Sequence, residues 1–127
     1  MANIGMIAMG YSQSVKLIRD IMETCDDYDC ALKKLSSEPI PSICYFILAG
    51  TKDNEGAVIT RDRSGPANVT TLTNENWYVL QTNQDHYDGH CGLRCQSARA
   101  NLDKLGQGFA DVRSVFINVL MQGPVLN

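Results

Sequence analysis

Residues 83–95 gather Asn83, Asp85, His86, His90, Cys91, Arg94 and Cys95 in one short polar stretch. An Asn amide can donate two hydrogen bonds to a developing oxyanion. Asn83 ends the apolar run that starts at Trp77, so an ordered element there would hold the amide at its edge. The competing role is a turn opener or strand cap. Asp85 beside His86 offers an acid–imidazole pair, but neighbours on an extended chain point apart, which favours a solvated loop. His86, His90, Cys91 and Cys95 are ligand types that zinc accepts. His90 and Cys91 are adjacent, however, and the usual two separated ligand pairs are missing. The spacing favours a Cys91–Cys95 disulfide or ordinary loop thiols over a metal site.

Other reactive residue types carry weaker signals. Cys44 lies among Ile43, Tyr45 and Phe46, with nothing nearby to stabilise a thiolate, so a buried structural thiol is expected. Arg61 and Arg63 share one face of an extended run and could bind a carboxylate or phosphate. A solvated edge with cross-strand ion pairs is the more usual outcome. Asn68-Val69-Thr70 is a glycosylation sequon, relevant only in a secretory or lysosomal setting.

These residues need elements to position them. Val15, Leu17, Ile18, Ile21 and Met22 recur at helical spacing, with Ser14 as N-cap. A second helix starts at Asp26 or Asp27 and presents Tyr28, Ala31, Leu32 and Leu35 on one face; Pro39 and Pro41 stop it. Ile43 to Ala49 and Ala57 to Arg63 read as an antiparallel hairpin about the Thr51 to Gly56 turn. Val69 to Leu72 predicts a third strand and Trp77 to Thr82 a fourth. Ser97 to Leu105 predicts a helix closed by Gly106. Val112, Val115, Phe116, Val119 and Leu120 predict an amphipathic helix, ended by Gly123-Pro124. The order is α+β, an antiparallel sheet covered by helices.

The chain has 127 residues, 44% of them hydrophobic, and a formal net charge of −3. That is one domain or part of one. There is no basic footprint, so no nucleic-acid partner is expected. No apolar run reaches the roughly 20 residues of a membrane span. Ile4 to Met9 is too short for a signal-peptide core. The 5 cysteines leave at least one unpaired within the chain.

Three segments together resemble the acid ceramidase family and its relatives that hydrolyse N-acylethanolamines. They are Cys44 to Gly50, Glu55 to Arg63 and Trp77 to Tyr87. Leu17-Ile18-Arg19 and Tyr28 upstream, and Pro124-Val125-Leu126-Asn127 at the end, fit the same pattern. The resemblance implies an N-terminal-nucleophile hydrolase, with part of an α-β-β-α sandwich. Such enzymes cut their own precursor and expose a β-chain cysteine, whose thiolate attacks a lipid amide while the freed α-amine acts as base. It further implies a ceramide-like substrate, a fatty acid and sphingosine as products, a processed α-chain as partner, a lysosomal location and no cofactor. Asn83 matches the Asn of the family's Thr-Asn-Tyr-Asp motif and is implied to stabilise the oxyanion. Arg94 matches an arginine of the Asp-Asp-Arg-Arg motif, implied to lie near the nucleophile.

The chain departs from the family in places. Gln84 replaces the tyrosine after the Asn, and Tyr87 the tryptophan. The second motif reads Gly92-Leu93-Arg94-Cys95. Neither Met1 nor Ala2 is a nucleophile, and the final strands of the family are not found. The expectation is that residues 1–127 form a single partial domain, the C-terminal portion of a β-chain, inactive alone. Two other functions stay open: a non-catalytic module that binds lipid or a partner chain, and a small zinc- or disulfide-stabilised binding protein.

Overall fold

The computed structural model describes residues 13–86 and 88–126. Met1, Ala2, the Ile4 to Met9 run, Tyr87 and Asn127 fall outside them. The chain divides into two compact units, Met1–Val79 and Leu80–Asn127.

In the first unit, α1 (Ser14–Thr24) and α2 (Tyr28–Ser37) precede a three-stranded antiparallel sheet. The strands are β1 (Cys44–Ala49), β2 (Gly56–Arg61) and β3 (Pro66–Thr71), in the order β1-β2-β3. Gln13, rather than Ser14, is the N-cap of α1, without a side-chain hydrogen bond. Asp27 caps α2 as its sequence suggests, its side chain accepting from the Cys30 amide at 2.8 Å. A Cys25–Cys30 disulfide joins the end of α1 to the first turn of α2.

The core lies between this helix pair and one face of the sheet. Leu17 and Ile21 from α1, Ala31 and Leu35 from α2, and Ile40 meet Phe46, Ala57 and Ile59. Each of the Leu, Ile and Phe side chains contributes about 1.5–3 kcal/mol on burial. Val15 and Met22, expected on the buried stripe of α1, are exposed. At 3.6 residues per turn they stand on a different stripe from Leu17 and Ile21.

The first hairpin turn is held by one carboxylate. Glu55 Oε2 accepts from the amides of Thr51 at 2.9 Å and Lys52 at 3.0 Å. Gly50 makes room for it: a Cβ there would stand 2.2 Å from that oxygen. Asn54 supplies the left-handed residue of the turn, with φ 64°. Strand β3 begins at Pro66, earlier than the pattern predicts, with a register shift where it meets Thr60 and Arg61.

The expected fourth strand is not formed. Trp77 to Thr82 is half-buried but pairs with no strand among the described residues. A strand exists only with a partner ladder, and apolar periodicity cannot supply the partner. Before it, Thr73 Oγ1 accepts from the amides of Glu75 at 3.2 Å and Asn76 at 3.0 Å, building a side-chain turn.

In the second unit, α3 (Leu93–Leu105) ends at Gly106, whose φ of 73° makes the expected glycine cap. A 3-10 turn (Gln107–Phe109) leads to α4 (Val112–Val115), capped by Asp111. The long amphipathic helix expected there is interrupted: Phe116–Leu120 winds as a π turn. Of its apolar set only Val119 is buried, and Val112 is 90% exposed. The α+β class and the antiparallel sheet stand as the sequence implied.

Candidate functional site

Asn83 and Arg94 are brought together. Both line one open cleft of about 300 Å³, with Thr82, Gln84, Gly92, Leu93, Cys95 and Pro124. Asn83 is reached not from a strand end but from an irregular segment, and both side chains are exposed. No hydrogen bond ties the Asn83 amide to another described residue.

The segment around Asn83 is fixed by its neighbours. Gln81 Nε2 donates to the carbonyl of Thr82 at 2.7 Å and to that of Gln84 at 2.8 Å. His86 Nε2 lies 3.0 Å from the Thr82 amide nitrogen and 3.0 Å from Thr82 Oγ1. Its Nδ1 lies 3.0 Å from the His90 carbonyl. His86 is therefore half-buried and bonded at both nitrogens, not the solvated loop residue expected. Asp88 accepts from the His90 amide at 3.0 Å and pairs with its ring at 3.0 Å. The His90 amide and then its side chain hold the Asp88 carboxyl below the usual aspartate range.

Across the cleft stands the start of α3. Gly92 is its N-cap, with no side-chain cap hydrogen bond and no acid in the first turn. A Cβ at Gly92 would meet Gln84 Oε1 at 2.5 Å, the movable end of an exposed side chain. The Cys91–Cys95 disulfide clamps this first turn, which settles the choice between disulfide and loop thiols and removes both sulfurs as zinc ligands. Among the described residues, none of the His, Cys, Asp and Glu side chains group as a metal site. Arg94 is the one charged side chain among the described residues lining the cleft. A cation, an uncapped helix start and a free amide together make a wall suited to negative charge.

The remaining candidates are structural. Arg61 is 1% exposed, neither solvated nor facing an anion. It donates to the carbonyls of Leu35, of Glu38 at 2.7 Å and of Gly65 at 3.1 Å. Burial lowers its pKa from the usual arginine value. Arg63 lies beyond β2 and donates to the Pro41 carbonyl at 3.1 Å. Cys44 is the free cysteine, half-buried on β1, with Ser14 Oγ 3.8 Å from its sulfur. Asn68 lies on β3, its amide 2.9 Å from Thr70 Oγ1. Sequence reasoning missed the Gln81 and His86 brackets, which no local motif announces. It also missed Cys25–Cys30, although two cysteines flanking a helix–helix turn were a usable signal.

No protein-family model matches the chain. Curated relatives do. The chain is 33% identical over 129 residues to N-acylethanolamine-hydrolyzing acid amidase of Rattus norvegicus, covering 98% of the chain and 35% of that protein. It is 35% identical over 115 residues to acid ceramidase of Homo sapiens, covering 87% of the chain and 29% of that protein. The solved structure of a Caenorhabditis elegans N-acylethanolamine-hydrolyzing acid amidase ortholog superposes with a TM-score of 0.75 at 34% identity, over 87% of this chain and 48% of that one. The chain spans about a third of the length of the curated relatives it matches.

Proposed function

The chain belongs to the acid ceramidase and N-acylethanolamine-hydrolyzing acid amidase family, and from that premise we propose that it forms one wall of a lipid-amide hydrolase site. Asn83 would donate to the oxyanion of the tetrahedral intermediate. Arg94 would place a positive charge beside the reacting thiolate. The observation that supports this most is the shared cleft: two residues singled out separately by the resemblance line the same opening.

The nucleophile comes from outside these residues. Cys25, Cys30, Cys91 and Cys95 are held in disulfides, and Cys44 sits within β1. None presents a thiolate beside a free amine, as an N-terminal nucleophile requires. The thiolate would attack the amide carbonyl and the oxygen would take up charge against Asn83. The amine would leave on protonation, and water would then release the fatty acid. The substrate class is a fatty-acid amide, ceramide or an N-acylethanolamine, and the setting a lysosome.

Steady-state kinetics of the full-length protein on both amides test the role. Asn83→Ala is expected to lower kcat by about 10²- to 10³-fold, the usual cost of one oxyanion donor. An effect confined to KM would sink the assignment. The 127-residue chain alone is expected to cleave neither amide, and turnover by it would refute an external nucleophile.

A further inference from the structure

We infer that His86 is the positioning residue for Asn83, an inference that rests on the oxyanion reading above. The ring joins two stretches of backbone. At one end Nε2 lies 3.0 Å from the Thr82 amide nitrogen, immediately before Asn83. At the other, Nδ1 lies 3.0 Å from the His90 carbonyl, on the approach to α3.

Both partners have fixed polarity. A backbone N–H only donates, so Nε2 is the bare nitrogen. A carbonyl only accepts, so Nδ1 carries the proton. The geometry therefore selects the neutral Nδ1–H tautomer. The Thr82 hydroxyl, also 3.0 Å from Nε2, shares the same lone pair.

The consequence falls on Asn83. His86 restrains the Thr82 amide, and Gln81 restrains the carbonyls of Thr82 and Gln84. The backbone is thus held on both sides of Asn83 while its side chain stays uncommitted. The anchor at the far end is itself fixed, because Asp88 takes the His90 amide. An exposed side chain gains a set direction only from its backbone, and displacement by about 1 Å can cost a site about 10²-fold. His86 touches no reacting atom in this arrangement; it acts through Asn83.

The test pairs spectroscopy with turnover in the full-length protein. Imidazole ¹⁵N shifts of His86 are expected to report the Nδ1–H tautomer; the Nε2–H tautomer overturns the inference. His86→Ala should speed hydrogen exchange of the Thr82 amide and lower kcat by about 10-fold, with KM nearly constant. His86→Gln, whose amide oxygen can accept in place of Nε2, should recover most of both. Unchanged kcat in His86→Ala beside a large loss in Asn83→Ala overturns the positioning role and leaves the oxyanion reading intact. Unchanged kcat in Asn83→Ala removes the oxyanion reading. The hold of His86 on the segment is then decided by tautomer and Thr82 exchange alone, and fast exchange in the unsubstituted protein would end it.

Discussion

Arg61 on β2 donates from its guanidinium to the carbonyl of Leu35, in the last turn of α2. The same fork reaches Glu38 at the end of that helix. Its fully buried charge thus satisfies carbonyls that a helix end leaves without partners, and it ties the helix pair to the sheet. Arg61→Met would keep the apolar volume and strand those carbonyls. Stability should fall by about 2–4 kcal/mol. Arg61→Lys should recover only part, because a single ammonium cannot replace a fork. Urea denaturation measures both, and a Met variant within about 0.5 kcal/mol of the parent would contradict the role.

With Cys44 as the one free cysteine, denatured unreduced protein should titrate one thiol per chain, and reduced protein five. Two thiols or none before reduction would show a different pairing. Removing Cys91–Cys95 by a double Ser substitution should cost about 2 kcal/mol, the entropy of so short a loop. It should also loosen the first turn of α3, where Arg94 sits.

How far the sequence carried differs from residue to residue. Asp27 and Gly106 were legible because a cap is set by its own helix. The β1–β2 hairpin was legible because Glu55 and Gly50 close a local turn. Trp77 to Thr82 was not, since its apolar pattern fits a strand but the partner is non-local. Arg61 was misread for the same reason: alternation put it on a face, and only α2 decides that this face is buried. Asn83 and Arg94 were each visible through family motifs. Their meeting in one cleft needed the intervening loop to fold, and His86, which clasps that loop, looked solvated when judged on neighbours alone.

Asp111 caps α4, its carboxylate accepting from the Ser114 amide at 2.7 Å. That bond holds its folded pKa below the ordinary aspartate value. A group depressed on folding adds stability that is complete above the unfolded pKa, about 3.9, and lost as pH falls through the lower folded value. The cap should therefore survive mildly acidic conditions and fail only in stronger acid. Asp111→Asn keeps an acceptor but no charge, so its loss of stability on acidification should be shallower. Melts at about pH 5 and about pH 3 check this; parallel curves for the two proteins would refute it.

Arg94 faces the cleft with no acid among the lining residues, and the α3 start beside it adds the positive end of a helix dipole. If the thiolate of the proposed mechanism forms within reach of this charge, the cation favours the ionised thiol and lowers its pKa. Removing it by Arg94→Ala should raise that pKa. The acid limb of the kcat/KM profile then moves to higher pH, and activity falls most on the acid side of the profile. Arg94→Lys keeps the charge and should restore the limb even if substrate binding suffers. The two variants separate charge from shape: an Ala loss that is uniform across pH, unrepaired by Lys, would assign Arg94 to binding the substrate rather than to tuning the nucleophile.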